Sequence, residues 1–205
     1  MVGQAGGVGL LDSILGRSKP AKPDLDQLFG LPSAAITLET SIGFTSTGTG
    51  SVAFRAPEGR AFADVQADVQ ALLDAGSGPK VDVEVDSFGY TWLVCRTEPP
   101  DLAALVTDLH AVNTTLQDSG FGSTLLCSLV PFSDGTRTFG LVYLFKRGTF
   151  YPFAPAVATA TTIAGETPQR RDNLLEIQLR DLLGDDLRIE PETNRWFAVW
   201  GAPGL

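Results

Sequence analysis

Apolar residues recur at helical spacing in several stretches of this chain and alternate with polar ones in others, and the two periods lay out its elements. Phe62, Val65, Val69, Leu72 and Leu73 share one face of a helix over 61–74, closed by Gly76. A longer helix is predicted over about 100–119, with Leu102, Leu105, Val106, Leu109, Val112 and Leu116 as its core stripe and Gly120 as its stop. A third runs over about 172–183, opened by Asp172, with Glu176 and Arg180 spaced for an i,i+4 pair. Strict alternation at 81–86 (Val-Asp-Val-Glu-Val-Asp) marks a strand with one buried face. Ser87-Phe88-Gly89 turns it into 90–95, apolar on both faces and so a central strand, antiparallel to its neighbour because the link is short. Further strands are expected at 36–42, 51–55, 124–132 and 138–146, the last two joined by the hairpin signal Asp134-Gly135, and a final one at 195–200. The sum is an α+β fold: a mostly antiparallel sheet of six or seven strands with three main helices.

The N-terminal part carries less pattern. Residues 1–33 read as a flexible tail that begins with four glycines in nine residues. Within it Leu10, Leu11, Ile14 and Leu15 fall on one face of a short amphipathic helix, followed by a basic linker of Arg17, Lys19 and Lys22 broken by Pro20 and Pro23. A second short helix at 24–29 is expected to be capped by Asp24 and stopped by Gly30 and Pro32. Residues 34–205 then form a single α+β domain, interrupted by an aperiodic Ala/Thr-rich stretch at 156–168 that reads as a mobile loop.

Composition narrows the chemistry. The 205 residues suffice for a real core and carry a net charge of −9. An acidic chain with no Lys/Arg block is a poor match for a phosphate backbone, so nucleic acid is not an expected partner. One His and two Cys cannot build the common zinc sites, and no cofactor motif occurs, so neither metal nor cofactor is expected. Cys95 and Cys127 each sit in an apolar run and read as buried free thiols, although a sequence alone does not show whether they pair. No signal-peptide pattern and no apolar run near the ~20 residues of a membrane span are present, which predicts a soluble, cytoplasmic chain.

His110 lies at the edge of the long helix's core stripe, where a structural role is expected. The rival reading is a hydrolase-like enzyme built around His110, with Cys95 or Cys127 as nucleophile; the apolar setting of both thiols disfavours it. The Gly- and hydroxyl-rich run at 45–50 reads as a turn rather than a phosphate cradle, because no G-K-[ST] follows it. Carboxylates at 82, 84 and 86 read as a solvated strand face.

Two segments look built for contact. Lys146 and Arg147 stand directly before Phe150, Tyr151 and Phe153, in a stretch stiffened by Pro152 and Pro155. Three rings so spaced cannot all face one core from a single strand, so at least one is expected at a surface, as a binding anchor is. The aliphatic face of Leu10, Leu11, Ile14 and Leu15, backed by Arg17 and Lys19, suits either shallow insertion at an anionic membrane surface or docking onto protein, including this chain's own body.

Several long segments then carry a resemblance. GLLDSILGRSKPAKPDLDQLFGLPSAAITLE at the start, SFGYTWLVCR, LVTDLHAVNTTLQDSGFGSTLLCSLVPF and LVYLFKRGTFYPFAP in the middle, and RWFAVWGAPGL at the end together resemble the PspA-associated protein PspAB family, over about 8–205. The resemblance implies a protein encoded in actinobacteria and some archaea near PspA, the membrane-binding effector of the phage-shock response, or near an HtpX-type membrane protease. It supplies no catalytic residues. The expected function is therefore that of a non-enzymatic accessory protein of the PspA envelope-stress response. It would act by contact with PspA or another phage-shock component, or with an HtpX-type protease, and by transient attachment at the inner face of the membrane. A secretion-chaperone-like binding module is the other alternative to an enzyme, and an exposed apolar groove would be its sign.

Overall fold

The computed structural model describes residues 23–57, 59–75, 81–156 and 169–205. Its strands are β1 (Thr45–Ser46), β2 (Thr49–Phe54), β3 (Asp82–Val85), β4 (Thr91–Arg96), β5 (Leu125–Ser133), β6 (Thr138–Leu144) and β7 (Thr149–Phe153). All pair antiparallel in one sheet of order β3-β4-β2-β5-β6-β7, with β1 extending the β2 edge of β5. The helices are α1 (Leu31–Ile42), α2 (Arg60–Asp74), α3 (Leu102–Leu116) and α4 (Asn173–Leu183). The α+β class, the antiparallel sheet and three of these helices match the sequence expectation.

The fourth helix corrects it. Residues 36–42 are not a strand but the second half of α1, which runs on directly from a 3-10 turn at Leu25–Gly30. The β-branched Ile36, Thr37, Thr40 and Ile42 mimic a strand signal, yet Leu31, Ala34 and Leu38 lie at helical spacing and are buried. Pro32 opens this helix rather than stopping the one before it, because a proline in the first turn forfeits no intrahelical bond. Gly43 closes it at φ 76, a left-handed cap that a side chain would strain. Asp24 does not cap the preceding turn with its side chain. Instead its carbonyl accepts a 2.8 Å hydrogen bond from Tyr143 Oη, and its N–H donates to the same oxygen at 3.3 Å. Leu28 and Leu31 lie in the core, so the packed chain begins ahead of residue 34.

Alternation along the strands sends side chains to two separate cores. On one face, Val52, Phe54, Leu93, Cys95, Val130, Phe132, Phe139, Leu141, Tyr143 and Phe150 meet the apolar stripes of all four helices. Gly50 is the contact point of α3: a Cβ there would lie 3.0–3.2 Å from the methyls of Leu105 and Leu109. That close approach accounts for Gly50, and a left-handed φ of 75 accounts for Gly48, the other glycine of this run. On the other face, Ala53, Trp92, Val94, Cys127, Leu129, Val142, Tyr151 and Phe153 meet Trp196, Ala202 and their neighbours in the chain's last ten residues.

Those last residues are the second correction. After a 3-10 turn at Thr193–Arg195, residues 196–205 form no strand and cross the sheet face as irregular chain. Side chains hold them there. Trp196 stacks on Tyr151 at 6.1 Å, Trp200 meets Phe153 edge-on at 4.8 Å, and Tyr151 Oη donates to the Phe197 carbonyl at 2.9 Å. A third correction concerns α4. Its cap is as expected, with Asp172 accepting from the Leu175 N–H, but Glu176 and Arg180 do not pair. Glu176 is buried and takes bonds from Arg171 Nε at 2.8 Å and the Ala154 N–H at 2.9 Å, while Arg180 pairs with Asp181.

Candidate functional site

The face that carries the C-terminal segment is only partly covered, and a groove of about 580 Å³ opens across it. Strand register builds its floor. Trp92 lies opposite Ala53, Ala53 opposite Cys127, and Cys127 opposite Leu144, so four neighbouring strands contribute one transverse row. The two small residues at the centre, between bulky Trp92 and Leu144, leave the hollow. Tyr90 and Leu126 line it on one side of the row, and Val199 and Trp200 on the other. Phe88, from the β3–β4 turn, and Phe197, from the C-terminal segment, line it too and are each 62% exposed. Exposed rings beside an apolar hollow are the usual anatomy of an interaction site.

Charge divides the groove. At the β3–β4 end Asp86 accepts hydrogen bonds from Trp92 Nε1 at 3.0 Å and from the Phe88 and Tyr90 N–H groups at 2.9 Å each. Burial pushes its carboxyl up, but those bonds outweigh it and hold the group below the usual carboxylate range. At the β6–β7 end stand Lys146, Arg147 and Arg195. Arg147 is committed to the fully buried Glu190, with Nη2 3.0 Å from Oε1, and Thr149 Oγ1 donates to the same carboxylate at 2.7 Å. Burial raises Glu190 as well; the bonds from Arg147, Thr149 and the Glu192 N–H win and depress it. Arg195 is paired with Glu192 at 3.0 Å. Lys146 is exposed and makes no ion pair among the described residues.

The basic-aromatic segment thus divides differently from the sequence expectation. Phe150 points into the helix-side core, and Tyr151 and Phe153 into the other, each no more than 1% exposed. None of the three rings lies at a surface, because the sheet has a covered core on each side of β7. Arg147 serves the buried Glu190, and of the five residues only Lys146 is left to meet a partner. The exposed rings of the groove, Phe88 and Phe197, are legible in the sequence only as an aromatic in a turn and one in an expected strand. Leu10, Leu11, Ile14, Leu15, Arg17 and Lys19 lie outside the described residues, as do Gly76 and most of 156–168.

The other candidates resolve plainly. His110 packs its ring on Phe29 at 5.0 Å, with Nε2 3.6 Å from Asp26 and Nδ1 3.4 Å from Thr114 Oγ1, and hydrogen-bonds to neither cysteine. Cys95 and Cys127 are free and buried, and burial pushes both thiols up to about 12, far from a reactive thiolate. Asp82 and Glu84 are exposed and pair with Arg96. Among the described residues no group of three or more His, Cys, Asp and Glu is placed to hold a metal ion. No described helix is long and apolar enough to cross a membrane. The groove on the partly covered sheet face therefore offers apolar burial, aromatic walls and a single uncommitted cation, which is an inventory for binding.

No curated protein and no solved structure matches this chain. The family model of PspA associated protein B, PspAB, matches residues 8–204, so the chain belongs to that PspA-associated family.

Proposed function

We propose that this chain is a non-enzymatic accessory protein of the PspA envelope-stress response that works by protein–protein contact, with the groove on its partly covered sheet face as the contact site. The observation that carries this is the pairing of exposed Phe88 and Phe197 beside an apolar hollow, in a chain of a PspA-associated family. PspA or another phage-shock component is the partner, with an HtpX-type membrane protease as the second candidate. The protein works in the cytoplasm, at the inner face of the membrane. Leu10, Leu11, Ile14 and Leu15, with Arg17 and Lys19 behind them, supply a second contact to lipid or partner.

Affinity capture of the tagged full chain, from stressed and unstressed cells, tests the main reading. PspA or another phage-shock component should be enriched with the native chain and lost with the double variant Phe88→Ser/Phe197→Ser. Equal capture by both removes the groove from the reading, and no enrichment of any such component removes the reading itself. For the second contact, deletion of residues 1–19 should reduce liposome flotation or capture; if both are unchanged, that contact is absent.

The same groove also favours a chaperone-like reading, in which it holds a non-native export client. Purified chain separates the two. A chaperone slows aggregation of unrelated unfolded proteins, whereas a dedicated accessory protein does not.

A further inference from the structure

The geometry points to the chemistry of the occupant: one amphipathic α-helix of the partner, about three turns long, laid across the strands with its apolar stripe down and its C-terminal, acid-bearing end over Lys146. This rests on the contact reading above and deepens it.

The floor decides the conformation. The groove lies on a face of the sheet and not at an edge, and β4, β2, β5 and β6 are each hydrogen-bonded to neighbours on both sides. Their N–H and C=O groups are spent in the ladder, so they offer nothing to an incoming backbone. The irregular C-terminal segment on this face satisfies its carbonyls with local turns and with bonds from Tyr151 Oη and Arg171 Nη1. The row Trp92, Ala53, Cys127 and Leu144 offers no such free donors, so a segment laid over it has to satisfy its own backbone, and a helix does so. The opposite face already carries helices α1 to α4. A helix here completes the second layer that the C-terminal segment leaves half built.

The register decides the direction and length. The row Trp92, Ala53, Cys127, Leu144 crosses β4, β2, β5 and β6, and beyond it Thr149 on β7 is already covered by Glu190. Four strands give three spacings, about 14 Å across the sheet, which a helix of about 10 residues spans. Its large apolar residues would fill the hollow over Ala53 and Cys127, and Phe88 and Phe197 would close on its flanks.

The charges decide the polarity. Asp86, held ionised by its three N–H donors, stands at one end, and Lys146, the uncommitted cation, at the other. A helix whose positive N-terminal end lies toward Asp86 and whose negative C-terminal end lies toward Lys146 matches both, and a Glu or Asp in its last turn adds to the match. Arg147 and Arg195 add nothing to this, being neutralised by Glu190 and Glu192.

The test uses the full chain with a photo-crosslinking phenylalanine analogue at Phe197, and at Phe29 on the helix side as control, both exposed positions. The crosslinked segment is identified by mass spectrometry, synthesised, and its affinity measured against the native chain and Lys146→Glu, each first checked for folding by circular dichroism. The expected segment is one partner helix with an acid in its last turn. A central proline in it should weaken binding about a hundredfold. Lys146→Glu should weaken it about three- to tenfold, and replacing the partner's acid by Lys should restore the loss.

Four results overturn the proposal: crosslinks to residues 1–22 of the same chain, to a second copy, or to lipid; no crosslink at Phe197 above the Phe29 control; affinity indifferent to proline; or affinity indifferent to Lys146→Glu. If capture of a phage-shock component persists through any of these, the helix proposal alone falls. If capture is lost as well, the contact reading falls with it.

Discussion

The two faces of this sheet solve the same problem by different means. On the helix side, four amphipathic helices bring regular stripes of Leu, Val and Phe, and the stripe residues Leu105, Val106, Leu109, Val112 and Leu116 are fully buried. On the other side an irregular segment of ten residues does the covering, held by aromatic contacts and beside a buried ion pair. A helix presents a repeating ridge and closes a face completely. An irregular segment closes only where its anchors reach, and between Trp196 and the β3–β4 turn it leaves a groove. The complete face buries its stripes fully; the incomplete one leaves the hollow that the proposed contact would use.

Breaking the complete face should cost most. Leu109→Ala removes a fully buried side chain from the α3 stripe and should lower stability by about 3 kcal/mol, read from urea unfolding. On the opposite face Glu190→Ala should cost about 2 kcal/mol by leaving Arg147 and Thr149 without their shared acceptor, and Glu190→Gln less. The same carboxylate adds a pH signature. Its pKa is depressed in the fold, so its stabilisation is complete above the ordinary glutamate value of 4.5 and is lost as pH falls through the folded value. Asp86 acts in the same direction from 3.8. Melting temperature should therefore be flat from pH 7 to pH 5 and fall below about pH 4.5, and Glu190→Gln should reduce that fall.

A chemical probe sharpens the comparison further. One cysteine lies on each face, Cys95 beneath the helices and Cys127 in the groove floor. Both thiols are raised to about 12, so at pH 8 neither should react appreciably with a disulfide reagent until the chain unfolds. Faster reaction of Cys127 than of Cys95 in native protein would show that the groove side opens first. The smallest stability effect belongs to the rim: Phe197→Ser should change stability by less than about 0.5 kcal/mol while abolishing capture, because its ring is largely in solvent.

Reading these faces from the sequence succeeded where one period dominates. The stripe of 102–116 predicted α3 and its buried face and Asp134-Gly135 marked the β5–β6 turn, whereas alternation at 81–86 predicted the strand β3 but not its setting, since Asp82–Val85 are exposed on both faces rather than buried on one. It failed where local preference and tertiary context disagree. Residues 36–42 carry β-branched side chains but are held helical by Leu31, Ala34 and Leu38 packing into the core. Residues 195–200 have strand-like composition, yet they lie across a sheet face rather than along an edge, and their tryptophans bind side chains instead. The groove was not legible at all. Its floor joins residues from β4, β2, β5 and β6 that lie up to 91 positions apart, and only register brings them into a row.

Sequence alone determined the class of this protein: an α+β chain with amphipathic helices, alternating strands, no inventory for the common zinc sites or catalytic motifs, and a family resemblance that the match over 8–204 bears out. Those properties are local or compositional, set by period, propensity and residue count. Tertiary structure decided which aromatic rings are core and which are rim, that Arg147 answers a buried Glu190 while Lys146 stays uncommitted, and that one sheet face is left partly open. Burial and charge pairing depend on which distant segments meet, and no single stretch of the chain holds that information.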